Sequence, residues 1–210
     1  MIIMANWIQY IDDNETDAAL SLRQFSELCW PSADEITLSS YFDLSMSPRL
    51  PLLWERRKEW EDYKAYLRPW LVGTTVSGWW VGYGRGSTKM TRYRYRAEEG
   101  LKEALCTLYR DLFLRSPMGQ PAEDIIYWFE DLCLFSRKRL FFGSISHEHE
   151  AFLYPLSGEM REAVSSLGEW EDCLWRDERS RIHINTVVWK NSPPILEKAA
   201  DPEEGPVIPR

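Results

Sequence analysis

The sequence predicts an α+β fold in which amphipathic helices pack against a mainly antiparallel sheet, and three observations carry that prediction. The clearest strand pair is a hairpin around residues 76–96: its first half is aromatic and β-branched, and residues 89–96 alternate strictly. Several other stretches place apolar residues at helical spacing. Finally, helices and strands do not alternate as βαβ units, which argues against a parallel, doubly wound sheet.

Taken in order, residues 2–11 are apolar enough for a strand. Asn14 is placed to cap a helix whose Ala18, Leu22, Phe25 and Leu28 or Cys29 share one face, ending before Pro31. Residues 32–44 read two ways, because Ser32 and Glu35 form a capping box while Ile36, Leu38, Phe42 and Leu44 alternate as in a strand. Beyond Ser47, Pro48 and Pro51, the residues Leu53, Trp60, Tyr63, Leu67 and Trp70 make one helical stripe, stopped by Pro69.

In the hairpin, Gly82, Gly84, Gly86 and Ser87 supply turn conformations. The alternation after them puts Thr91, Tyr93 and Tyr95 on one face and Met90, Arg92, Arg94 and Arg96 on the other. Leu101, Ala104, Leu105, Leu108 and Leu112 then mark a helix closed by Ser116, Pro117 and Gly119. Pro121 opens another, carrying Ile125, Ile126, Phe129, Leu132 and Cys133, and the two are expected to pack as an antiparallel pair.

Residues 139–154 read as extended, with Gly143 as a bulge. Ser157 caps a helix bearing Met160, Ala163, Val164 and Leu167, with Gly168 placed to end it and a further helical turn around 170–175. Residues 181–189 alternate as a strand. From 191 to 210 the composition shifts to proline, five of the twelve in the chain, so 1–190 is expected to be the folded domain and 191–210 a flexible tail.

At 210 residues and 44% hydrophobic content, the chain can bury one sizeable core. A formal charge of −8 with 28% charged residues describes an acidic protein and argues against holding nucleic acid through bulk electrostatics. No run reaches the roughly 18 apolar residues that span a bilayer, and residues 1–13 lack a basic n-region and a cleavage site. A cytoplasmic protein without a membrane partner is therefore expected. The cysteines at 29, 106, 133 and 173 make no CxxC pair, and three lie in helical apolar patterns, which suits reduced structural thiols. Eleven tryptophans are enough that some are expected at a binding surface.

The residues that could carry chemistry are few. The glycine run at 82–89 misses the spacing of both phosphate-binding loops and precedes a strand rather than a helix. Five positive residues and no acidic ones lie between Arg85 and Arg96. Arginine interleaved with tyrosine at Arg92, Tyr93, Arg94, Tyr95 and Arg96 is the chemistry of a single-stranded nucleic-acid platform, unless these arginines lie over the protein's own carboxylates. His147 and His149 share a face if 146–150 is extended. With His183 they have the ligand types of a zinc or iron site, which would make the chain a metal-dependent enzyme. There is no GxSxG elbow and no cysteine in electropositive surroundings, so neither a nucleophilic catalyst nor a cofactor is expected.

The acidic segment is the more usable feature. Between His147 and Glu178 nine acidic residues face only Arg161 and Arg176. Glu148, Glu150, Glu169, Glu171, Asp172, Asp177 and Glu178, interleaved with Trp170 and Trp175, have the composition of a surface that docks a basic protein. A small, acidic, tryptophan-rich α+β chain of this kind resembles the immunity proteins encoded beside bacterial polymorphic or contact-dependent toxins. The resemblance is one of general character and fixes no residue. It implies a non-catalytic binding module that neutralises a cognate toxin domain by occluding its active site.

Overall fold

The computed structural model describes residues 7–12, 20–40, 57–80, 84–114 and 129–173, and within these the side chains of all but 77–80 and 84–89. Its elements are β1 (Trp7–Ile11), α1 (Leu22–Cys29), β2 (Glu35–Ser40), α2 (Arg57–Leu67), β3 (Leu71–Trp80), β4 (Gly84–Arg96), α3 (Glu99–Leu108), β5 (Glu130–Ser136), β6 (Arg139–Ile145), β7 (Glu150–Leu153), α4 (Gly158–Ser165) and β8 (Trp170–Cys173). The strands form one eight-stranded antiparallel sheet in the order β3-β4-β2-β5-β6-β7-β1-β8. The α+β architecture expected from the sequence is the one observed.

Period-two alternation divides the side chains between two environments. Ile8, Ile36, Leu38, Tyr93, Tyr95, Leu132, Leu134, Ala151 and Leu153 join Leu22, Phe25, Trp60, Leu67, Leu101, Leu105, Met160 and Val164 of the helices in the main core. Trp7, Met90, Cys133, Phe135, Leu140, Ile145 and Phe152 form a smaller cluster on the second face. Ring contacts stitch the main core together: Trp60 lies 4.9 Å from Phe129, and Phe25 lies 4.4 Å from Phe142. The hairpin alternation read from the sequence therefore holds, with Tyr93 and Tyr95 turned to the helices.

Several expectations are corrected. Helix α1 is capped by Ser21, whose hydroxyl accepts from the Gln24 N–H; Asn14 lies outside the described residues. Of the contested 32–44 segment, Glu35–Ser40 is strand β2, where Ile36 and Leu38 pair in register with Tyr95 and Tyr93, while Phe42 and Leu44 lie outside the described residues. Strand β4 starts at Gly84, inside the run read as a turn. Leu112 lies beyond α3, which ends at Leu108.

The largest correction is β5. Leu132 and Cys133 belong to a strand, and the helix expected there does not exist from Glu130 onward. That strand lies between β2 and β6 and is buried on both faces, so its sequence shows no polar alternation. Gly143 sits in regular register opposite Cys133 and Phe152, and the irregularity falls at Leu134/Phe135 instead. Ser157 does cap α4, accepting from the Met160 N–H at 3.1 Å, but Trp170–Cys173 is strand rather than a further helical turn. The four cysteines are free, with Cys29, Cys106 and Cys133 buried and Cys173 half-buried. Residues 181–189 and 191–210 lie outside the described residues. No helix among the described residues is long and apolar enough to cross a membrane.

Candidate functional site

Strands β5 and β6 are hairpin partners, so the start of β5 meets the end of β6 and the short 3-10 turn Ser146–Glu148 that follows it. A reciprocal pair of hydrogen bonds fixes this meeting point. The Asp131 N–H donates to Ser146 Oγ at 2.8 Å, and the Ser146 N–H donates to Asp131 Oδ1 at 3.0 Å. Asp131 adopts φ 60°, a left-handed conformation that Asp tolerates better than most residues.

This lock gathers ligand-type atoms of Glu130, Asp131 and His147 within 4.8 Å of one another. His147 Nδ1 lies 3.8 Å from Glu130 Oε2, and its Nε2 lies 3.8 Å from Glu148 Oε1. Asp131 is 0% exposed, and its Oδ2 has no hydrogen-bond partner. Burial pushes its carboxyl up to about 8, and the neighbouring Glu130 adds to the rise; the Ser146 bond, His147 and Arg92 oppose it. His147 is raised above the usual imidazole value by Glu130 beside it, against the opposing effect of desolvation.

The three-histidine arrangement is corrected. Residues 146–148 form a turn and His149 is left-handed at φ 53°, so the extended run that would align His147 with His149 is absent. His147 turns to Glu130, whereas the His149 ring packs 5.8 Å from that of Phe113. His183 lies outside the described residues. The sequence marks His147 by its ligand chemistry, whereas Glu130 and Asp131 carry no such signal because their strand has helical spacing.

The arginine–tyrosine strand is also not an open platform. Tyr93 and Tyr95 are 5% and 1% exposed, leaving no ring face for a base to stack on. Arg94 is paired with Glu35, which holds the diagonal position on β2. Arg96 donates to Glu98 Oε1 at 2.7 Å and to the Pro69 carbonyl at 3.2 Å. Arg92 is buried beneath the second face near Asp131. These arginines serve the protein's own carboxylates and interior.

The acidic segment divides. Glu148, Glu169, Glu171 and Asp172 are exposed and Glu150 is half-buried. Asp172 pairs with Arg161 of α4. Trp170 is half-buried: its ring packs on Tyr10 at 5.5 Å and Phe25 at 6.4 Å, and its Nε1 is buried without a hydrogen-bond partner. Trp175, Asp177 and Glu178 lie outside the described residues.

The register places a further exposed residue, Ile11 at the end of β1, beside this acidic segment. Ile11 is 45% exposed and lies opposite Glu150. Gln9, two residues earlier and on the same face, pairs with Glu171 across the other side of β1. An exposed aliphatic side chain is thus flanked by carboxylates on both neighbouring strands.

Helices packed on one face of an antiparallel sheet, with a locked acid–imidazole cluster at one hairpin end and an exposed aliphatic residue beside carboxylates on β1, define the class as an α+β protein built on a single sheet. No family model matches the chain, and no curated protein or solved structure matches it either.

Proposed function

We propose that this chain is a protein-binding module that docks a basic partner domain, and that it acts as an immunity protein by occluding the active site of a cognate bacterial toxin. The observation that carries the reading is Ile11, exposed opposite Glu150 on β7 and a diagonal step from Glu171, which lies opposite Gln9 on β8. An apolar centre loses water on contact while the surrounding carboxylates steer a cationic surface toward it, which is how small interfaces obtain both residence time and speed. The edge strand β8 adds Glu169 and Glu171, both solvent-exposed, to the same end of the sheet. Such a module needs no catalytic group of its own.

The test mixes the purified chain with toxin domains encoded beside its gene. A stoichiometric complex and loss of toxin activity are expected. Ile11→Asp should weaken the complex by about 30-fold or more, the loss typical of a hot-spot residue. Glu171→Lys should act chiefly on the association rate, cutting it by roughly tenfold and flattening its salt dependence. Phe25→Leu, which alters a side chain with 0% exposure, should leave affinity unchanged. Neither a complex nor protection with any such domain would sink the reading.

A further inference from the structure

We infer that Glu130, Asp131 and His147 form a binding site for a divalent transition-metal ion of the zinc type, with Glu148 as the outer partner of the imidazole. The inference is independent of the docking surface and rests on two observations. First, one imidazole nitrogen and two carboxylates present ligand atoms within 4.8 Å of one another. Second, Asp131 is fully buried and its Oδ2 has no hydrogen-bond partner, a costly arrangement that a cation would relieve.

The chemistry selects the class of ion. Ligands about 2.1 Å from a tetrahedral zinc ion stand roughly 3.4 Å apart, so the cluster needs only a small contraction to close on one. A nitrogen ligand beside carboxylates favours zinc, or next manganese or iron, over the all-oxygen sites of calcium and magnesium. With Nδ1 facing Glu130, Nε2 faces Glu148 at 3.8 Å, the position of the outer carboxylate that orients a ligating imidazole.

Glu148 adds a third carboxylate beside the imidazole. Ser146 holds Asp131 in place from both its backbone and its hydroxyl, so the buried ligand is preorganised before any ion arrives. The exposed His147 gives a route in from solvent. Three protein ligands leave at least one coordination position for water.

The experiment uses the full chain without an affinity tag, stripped with chelator and titrated calorimetrically with zinc, manganese and magnesium chloride. One equivalent of zinc is expected at micromolar affinity or tighter, manganese more weakly, and no magnesium. Glu130→Gln and Asp131→Asn should each weaken zinc by about 100-fold or more, and Glu148→Gln by roughly tenfold, the usual effect of an outer partner. His149→Ala should leave the affinity unchanged. Circular dichroism checks that each variant is folded, and Glu130→Gln, at the edge of the buried cluster, serves if Asp131→Asn is not. The inference is overturned if zinc binds no tighter than about millimolar, or if micromolar binding survives Glu130→Gln.

Discussion

Asp131 concentrates the conflict of the site in one side chain. An ordinary carboxyl titrates near 3.9, whereas burial and Glu130 hold this one at about 8 in the folded protein. Between those values the native state keeps a proton that the unfolded chain has released, so stability falls as pH rises through the window, by up to about 1.4 kcal/mol per pH unit. His147, raised by Glu130, acts in the same direction: its contribution is present at low pH and lost as pH rises through its folded value. Arg92 opposes the shift of Asp131 without removing it. Asp131→Asn keeps a carbonyl for the Ser146 N–H and tolerates the left-handed backbone, but carries no titrating proton. In the presence of chelator, urea denaturation should show the wild type losing stability between pH 5 and pH 8. The Asn variant should lose the Asp131 part of that slope and keep the part due to His147, and equal slopes for the two would refute the assignment. None of this was visible in the sequence, because Glu130 and Asp131 read as the middle of a helix and an aspartate in a helix carries no signal of burial.

Strand β5 shows why that reading failed. In the central strands of a sheet both faces are buried, so apolar residues follow one another without a period, and Phe129, Leu132 and Cys133 match helical spacing by coincidence. The turn that would have exposed the error is equally silent. Arg137 and Lys138 join β5 to β6 with φ 48° and 68°, the conformation of a two-residue hairpin turn that usually announces itself as Asn-Gly. Where a strand lies nearer one edge of the sheet and alternates, as residues 90–96 of β4 do, or where a hydroxyl stands just before an amphipathic run, as Ser157 does, the element is legible. The strained pair at the turn yields a measurable consequence. Replacing Arg137 with Asn and Lys138 with Gly relieves left-handed backbone strain of about 1–2 kcal/mol per residue. The Arg137 N–H bond to Asp34 Oδ2, at 2.8 Å, is a backbone donation and survives the change. The double variant should therefore gain roughly 1–2 kcal/mol, after allowing for the entropy that glycine costs, in chemical denaturation. No gain, or a loss, would show that the turn is not under strain.

At the scale of the whole molecule, the chain order and the sheet order differ in a way that links every element. Strand β1 lies between β7 and β8, so residues 7–11 pair with partners 139 to 166 positions later. The sheet's far half, β2 to β4, is held by the same helices over the same core. Ile8 belongs to that core, pairs with Leu153 and Asp172, and lies in the part of the sheet completed by contacts of the longest sequence separation. If the core is continuous, truncating Ile8 must lower the stability of strands that it never touches, because opening any part of the sheet then requires opening all of it. Ile8→Ala is expected to cost about 2–4 kcal/mol. Hydrogen exchange read by mass spectrometry should show protection in β2 and β5 falling by the same factor as in β7. Loss confined to β1, β7 and β8 would instead divide the sheet into two units, and the docking surface proposed around Ile11 would then sit on the one that opens first.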